Sequence, residues 1–225
     1  MDYSYVKLKK TQIIIFLFLS ISFTGFSQNL RFGIFFAPQL SWMSPDVKSI
    51  DKDVSKLGIN AGLIIDRFFA ENYIFSSGIS IINSGGTLTY SDSISLRFRN
   101  TTEVFPEGVS VSYKLQYLTI PLELKFKTNK IGNFIYYGHL GLTSQICLKA
   151  SADIPASNIK DESIVHEINF FNLAYHIGAG LEYSLGGNTA IIGGLIYTNG
   201  FLDITDNKND TVTLSNIRLR IGLMF

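Results

Sequence analysis

The chain has 225 residues, a formal net charge of +1 and one cysteine, Cys147. The near-neutral charge excludes the basic surface that a nucleic-acid-binding protein presents. A single cysteine excludes an intrachain disulfide, and the length fits one domain.

The N-terminal residues have the pattern of a secretory signal peptide. Three lysines at positions 7–10 precede the apolar run 13–23, and the small residues Gly25 and Ser27 follow it. We predict cleavage after Ser27, which removes three lysines and one aspartate and changes the net charge from +1 to −1. The alternative is a retained anchor, but the run is shorter than the roughly 20 residues that a spanning helix needs. No cysteine follows the run, which argues against a lipoprotein.

The rest of the chain alternates between apolar and polar residues with a period of two, as strands with two different faces do. In the last strand the apolar face is Ile217, Leu219, Ile221, Leu223 and Phe225, and the opposite face is Asn216, Arg218, Arg220 and Gly222. The same pattern predicts eight strands, at about 29–42, 57–69, 72–84, 110–127, 132–150, 168–185, 188–200 and 212–225.

Short and long connections alternate between these strands. The links 69–72, 128–132 and 185–188 are tight turns, whereas the long polar links are 43–56, 85–109, 151–167 and 201–211. Outer-membrane barrels combine an even strand number with short periplasmic turns and long extracellular loops. We therefore predict an all-β fold for residues 28–225, an eight-stranded antiparallel up-and-down transmembrane β-barrel in the outer membrane.

Alternation alone does not say which face points outward, and a soluble lipocalin-like ligand-binding barrel would enclose its apolar face. Two features favour the membrane. The polar faces of the fifth and sixth strands carry few charges, and aromatic residues collect near the strand ends, as at a bilayer interface. At the short-turn end these are Phe68, Phe69, Tyr73, Phe75, Phe126, Phe134, Tyr136, Tyr183 and Phe225; towards the other rim they are Trp42, Tyr113, Phe171, Tyr197 and Phe201.

Phe225 shares the apolar face of the last strand. The segment "IRLRIGLMF" resembles the C-terminal signal by which the barrel-assembly machinery recognises its substrates. Phe225 is therefore expected to be both an interfacial anchor and an assembly signal.

The chain resembles the porin-like outer-membrane β-barrel proteins of Bacteroidota. The resemblance is carried by "YLTIPLELKF" (117–126), "IGAGLEYSL" (177–185), "LIYTNGFLDI" (195–204) and the C-terminal aromatic residue. It implies the barrel fold and the outer membrane, and it brings no shared catalytic residues.

The polar faces place ionisable residues inside the barrel, where they must pair because unpaired buried charges are costly. The expected interior network is Arg31, Asp66, Glu123, Lys125, His139, Lys149, His176, Glu182, Arg218 and Arg220. It either fills the interior or forms a charged constriction on a solute path. His139 and His176 are expected to be neighbours, and a metal there would need a further ligand such as Gln145 or Glu182.

The fourth strand carries two local predictions. Its apolar face changes phase near Tyr117 and Leu118, which predicts a β-bulge at that point. Pro121 is expected on the interior face, where it lacks a donor for the strand ladder and should cause a bulge or a bend.

The sequence shows no nucleophile–base set and no phosphate-binding glycine pattern, so we expect no catalytic residue, no cofactor and no metal. The predicted function is a non-enzymatic barrel that presents long extracellular loops in a structural, adhesion or partner-binding role. The alternative is a narrow porin-like channel for small solutes. The expected partners are membrane lipid, the assembly machinery and an extracellular or envelope protein, with no nucleic acid.

Overall fold

A computed structural model describes residues 30–98, 101–206 and 210–225. The predicted signal peptide, residues 1–27, lies outside the described residues. The strands are β1 (Leu30–Pro45), β2 (Ile50–Ala70), β3 (Tyr73–Tyr90), β4 (Ile94–Arg97), β5 (Thr102–Phe105), β6 (Val109–Lys127), β7 (Phe134–Ile154), β8 (Ile159–Ser163), β9 (Phe171–Gly186), β10 (Thr189–Gly200) and β11 (Val212–Met224).

Eight of these strands form a closed antiparallel ring in the order β1, β2, β3, β6, β7, β9, β10, β11. The ring closes between β1 and β11, from Gly33 opposite Met224 to Pro45 opposite Val212. The predicted fold class is confirmed. Strands β4 and β5 form a hairpin within the link between β3 and β6, and β8 pairs with the end of β7. Neither was predicted.

Tight turns join the ring strands at one end of the barrel, here called the short-turn end, at residues 71–72, 128–133 and 187–188. The opposite, long-loop end carries the links 46–49, 91–108, 155–170 and 201–211. Two short 3-10 helices, Pro155–Ser157 and Val165–Glu167, lie in the third of these links. Within the described ranges, no helix is long and apolar enough to cross a membrane.

The apolar faces point outward. Leu219 and Ile221 are 48% and 51% exposed, whereas the alternating Arg218 and Arg220 are each 4% exposed. Such an arrangement suits contact with hydrocarbon, where the backbone polar groups are satisfied by the closed ring. It excludes the soluble lipocalin-like alternative, which requires the opposite orientation.

The interior has two layers. Buried polar and charged residues fill the part towards the short-turn end, and an apolar cluster fills the part towards the long-loop end. This apolar plug consists of Met43, Ile50, Ile82, Leu88, Tyr90, Leu96, Phe98, Phe105, Val109, Val111, Tyr113, Leu115, Tyr117, Ala150, Ala152, Ile154, Ile164, Ile168, Ile204, Val212 and Leu214.

The β-bulge predicted near Tyr117 is confirmed as a register shift between Gln116 and Tyr117, but its assignment to β6 is wrong. Odd-numbered residues of β6 face the interior along its whole length, from Val109 to Lys125. What changes near Tyr117 is the chemistry of the interior, from apolar to polar. The register shift lies in β7, where Tyr117 pairs with Cys147 and Gln116 pairs with Lys149, so Leu148 is the extra residue.

Pro121 interrupts the ladder on one side only. The pairing of β6 with β7 is continuous through Pro121 and Thr143, whereas pairing with β3 is broken between Thr119 and Leu122 without a change of register. Ser77 donates its hydroxyl to the Pro121 carbonyl at 2.8 Å. The proline thus opens a local gap and causes no bulge.

The aromatic residues near the strand ends face outward, with two exceptions. Tyr113 is 2% exposed and shares a hydroxyl–hydroxyl hydrogen bond of 2.7 Å with Tyr90 inside the plug. Phe68 is half-buried, with the Lys127 ammonium 5.2 Å from its ring centre. Both were predicted in the girdles, and both belong to the interior.

Candidate functional site in the barrel interior

The polar layer begins with a buried ion pair between β2 and β6, the two strands that flank β3. Lys125 on β6 places its Nζ 2.7 Å from Oδ2 of Asp66 on β2, and the two side chains are 2% and 0% exposed. The Lys125 ammonium also lies 5.4 Å from the ring centre of Tyr137. The pair satisfies both charges within the barrel, as buried ions require.

A second charged group lies near the short-turn end around Glu182 of β9. Its two carboxylate oxygens accept different cations: Arg31 Nη1 at 2.8 Å and Lys127 Nζ at 2.7 Å. Arg31 also donates to the Asn188 carbonyl. Glu182 therefore links β1, β6 and β9 through a single carboxylate.

Glu123 of β6 is the centre of a third group. Its Oε2 lies 3.2 Å from His139 Nδ1, and its Oε1 lies 3.3 Å from both His176 Nε2 and Arg220 Nη2. Thr143 shares a hydrogen bond of 2.9 Å with His176 Nδ1. All five side chains are buried. The two imidazole rings are 5.7 Å apart, so the predicted histidine neighbours do meet.

Glycines on the neighbouring strands make room for this group. His139 lies opposite Gly178, while Gly141 lies opposite both Glu123 and His176. A Cβ at Gly178 would collide with His139 Nε2, and one at Gly141 would lie 2.8 Å from the Glu123 Cα. Glu123 can reach His176 because Gly141, the residue between them, has no side chain.

Glu123, His139 and His176 could together hold a metal ion, since one ligand atom from each lies within 4.8 Å of the others. Two nitrogens and one carboxylate oxygen suit a transition metal. Neither Gln145 nor Glu182 takes part, because Gln145 accepts from Asn172 and Glu182 binds its own cations. The Arg220 guanidinium, which binds the Glu123 carboxylate, would repel a metal ion at this site.

Arg218 lies two residues before Arg220 on the same inward face of β11 and is also buried inside the barrel. Its side chain makes no hydrogen bond or ion pair with any residue that the structure describes, and its Nε is buried without a partner. It lines a small cavity of about 10 Å³ together with Arg220, Glu123, Asn60 and Thr119.

Nine of the ten residues predicted for the interior network lie there: Arg31, Asp66, Glu123, Lys125, His139, His176, Glu182, Arg218 and Arg220. Lys149 does not. Its side chain is 59% exposed and lies 3.2 Å from Asp161 Oδ2, because the extra residue Leu148 turns β7 by one position. Lys149 thus belongs to the outer surface near the long-loop end.

Lys127 was not predicted for the network, although it continues the odd-numbered series of Glu123 and Lys125 and the alternation of β6 could have identified it. Tyr137 shares the inward face of His139, as the alternation of its strand indicates. Its ring lies across Gly180 and Gly194, and its hydroxyl donates to the Gly193 carbonyl at 3.3 Å.

A separate pocket of about 540 Å³ opens among the links of the long-loop end. Arg97 of β4 holds one side of it, with Nε 2.6 Å from Glu167 Oε1 and Nη2 2.7 Å from Asp206 Oδ2. These hydrogen bonds, first to Asp206 and then to Glu167, raise the pKa of Arg97 further above its ordinary value. One arginine thereby joins the second, third and fourth links into a single surface.

Comparison with known proteins identifies the fold family. The family described as "Outer membrane protein beta-barrel domain" matches residues 26–206. No curated protein matches the chain.

Solved structures of similar fold include neisserial surface protein A, with 13% identity, a TM-score of 0.48, and coverage of 86% of this chain and 95% of that one. The attachment invasion locus protein Ail of Yersinia pestis, solved with the heparin analogue sucrose octasulfate, has 17% identity, a TM-score of 0.43 and coverage of 88% and 100%. OprG of Pseudomonas aeruginosa has 10% identity, a TM-score of 0.44 and coverage of 88% and 96%.

Proposed function

The chain belongs to the outer-membrane β-barrel domain family, and on that premise we propose that it is a non-enzymatic, non-conducting protein that presents its long loops for adhesion or partner binding. In this proposal the long-loop end faces the exterior, as in other outer-membrane barrels. A signal peptide at residues 1–27 would direct export, and the motifs at 117–126 and 195–204 favour a Bacteroidota origin.

The observation that carries the proposal is the apolar plug. Side chains from ring strands and from the links meet at the centre of the barrel, and Leu88, Val111 and Ile154 are completely buried. An eight-stranded barrel has just enough interior for side chains. A water-filled path would need to cross both this apolar layer and the ion-paired layer below it.

The structured long-loop end supports a binding role. The β4–β5 hairpin is attached to two other links through Arg97, and the pocket of about 540 Å³ is of the size that small-ligand sites have. Asp92 and Asp210 line the same pocket. A loop surface held in one arrangement loses less conformational freedom when a partner binds.

Lipid and the assembly machinery are the remaining proposed partners. The ring of Phe225 is 56% exposed, and its backbone exchanges hydrogen bonds with Phe32 at the start of β1. Its ring can therefore contact the membrane interface, as the predicted anchor and assembly signal requires.

Planar-bilayer recording of the purified protein tests the closed barrel, with a porin of known conductance as the positive control. We expect no steady conductance steps. Reproducible steps of one size would contradict the proposal and favour the narrow channel instead.

Surface display tests the binding role. Cells of a non-adherent Gram-negative host that display the wild-type protein should attach to immobilised extracellular proteins or glycans. Cells that display a barrel whose links 91–108 and 201–211 are replaced by short turns should not. Equal attachment by the two strains, at equal surface levels, would argue against a role for the loops.

A further inference from the structure

Arg218 is a buried cation that makes no direct ion pair. It is 4% exposed, its Nε is buried without an acceptor among the described residues, and the carboxylate that shares its cavity, Glu123, lies 3.3 Å from Arg220 instead. A guanidinium stays protonated in proteins and has five N–H donors to satisfy. Leaving such a charge unpaired in a barrel interior is strongly unfavourable, so some other group has to accept from it.

The interior carboxylates Asp66, Glu123 and Glu182 already form ion pairs with other cations. Asp66 binds Lys125 at 2.7 Å, and Glu182 binds Arg31 and Lys127 at 2.8 and 2.7 Å. Glu123 binds Arg220 at 3.3 Å. Arg218, Arg220 and Glu123 together carry one excess positive charge, and a proton on either imidazole would add to it. One monovalent anion would balance it.

The cavity beside these arginines is small. Its volume of about 10 Å³ limits it to a single small ion or molecule. Besides the two guanidinium groups, Asn60 and the hydroxyl of Thr119 line it, together with the Glu123 carboxylate that is paired with Arg220. The Asn60 amide can turn its N–H donors towards the cavity. Polyatomic organic anions are too large for this space.

We propose that the barrel binds a monatomic monovalent anion, a halide such as chloride, in the cavity between Arg218 and Arg220. A water molecule could accept from the same donors but would leave the excess charge uncompensated. A divalent cation on Glu123, His139 and His176 would add to that charge. A halide would supply both the acceptor and the negative charge that Arg218 lacks among the described residues.

Refolding in different salts tests the proposal in solution. The protein is refolded from urea into detergent in sodium chloride or in sodium gluconate of equal ionic strength, so that general screening is the same. The temperature at which the folded gel band is lost should rise with chloride concentration, because a ligand that binds only the folded state stabilises it. Equal temperatures in both salts would overturn the proposal.

Two variants locate the effect. Arg218→Met should lose the chloride-dependent rise, whereas Arg31→Met, which removes another interior arginine away from the cavity, should keep it. A rise that persists unchanged in Arg218→Met would also overturn the proposal.

Crystallography of the wild-type protein tests the anion site directly and does not depend on whether Arg218→Met folds. Crystals of the wild-type protein grown in sodium bromide should show an anomalous bromide peak within hydrogen-bond distance of Arg218 and Arg220. Density at that position without an anomalous signal would identify a water molecule and refute the anion site.

Discussion

His139 lies directly opposite Gly178 across the β7–β9 pair, and its imidazole occupies the space that a side chain at Gly178 would need. A Cβ there would also lie 2.8 Å from the Leu195 carbonyl oxygen on the far side. The glycine is therefore a packing requirement of the interior network.

Replacing Gly178 by alanine should destabilise the barrel. The added methyl group collides with His139 Nε2 and with backbone, and overpacking of this kind costs about 1–3 kcal/mol. The loss of the folded, fast-migrating gel band on heating should occur at a lower temperature. Gly193→Ala is the matched control, because a Cβ at Gly193 meets no atom within 4 Å. Equal shifts in the two variants would show that His139 does not set the requirement.

The Lys125–Asp66 pair should contribute far more to stability than the surface pair of Lys149 and Asp161. Removing one partner of a buried pair costs about 3–5 kcal/mol because the other charge stays uncompensated, so Lys125→Met should lower the free energy of unfolding by that amount. Lys149→Met should change the free energy of unfolding by less than about 1 kcal/mol, since the side chains of Lys149 and Asp161 are both more than half exposed. Urea unfolding in lipid vesicles measures both, and a large effect of Lys149→Met would contradict its placement outside.

Alternation along the strands was sufficient to predict the ring and most of its interior. The charged residues Glu123, Glu182 and Arg220 fall on the inward faces of β6, β9 and β11 because the outward face must be apolar in a membrane. The same rule failed in the half of β6 nearer the long-loop end, where it predicted a change of phase near Tyr117 although Val111, Tyr113 and Leu115 face the interior. In this part of the strand the inward residues are apolar and the alternating outward residues, such as Ser112 and Lys114, are polar. Hydrophobicity therefore no longer identifies the inward face.

The remaining misses depend on single residues or on long-range contacts. The shift at Leu148 sends Lys149 outward, and no local pattern distinguishes a bulge in β7 from one in the paired strand β6. The convergence of Glu123 with His139 and His176 depends on the register of three strands and on a glycine between them. Strand alternation carries no information about either.

Arg97 should hold the long-loop end in one arrangement. Arg97→Ala removes ion pairs to both Glu167 and Asp206, so the β4–β5 hairpin should detach more often and be cut faster by chymotrypsin on intact cells. Glu103→Ala serves as the control, because Glu103 lies on the same hairpin and is exposed. High salt should speed cleavage of the wild type towards the rate of the variant, since these charges are partly exposed and screened. Identical cleavage of the variant and the wild type would mean that other contacts hold the hairpin.

The turn around Asp161 should loosen in acid. The hydrogen bond from Ser151, followed by the one from Lys149, lowers the pKa of Asp161 below its ordinary value of about 3.9. A carboxylate whose pKa is lowered in the folded state stabilises that state above the unfolded pKa and loses this effect as the pH falls through the folded value. Amide exchange in β8 should therefore be slow at pH 6 and should accelerate, relative to the intrinsic rate, only below about pH 4. In Asp161→Asn the charge is absent at every pH, so exchange should be faster at pH 6 and should show no such acid transition; a transition retained in that variant would assign it to Asp153, whose carboxylate accepts from the Asp161 amide at 2.8 Å.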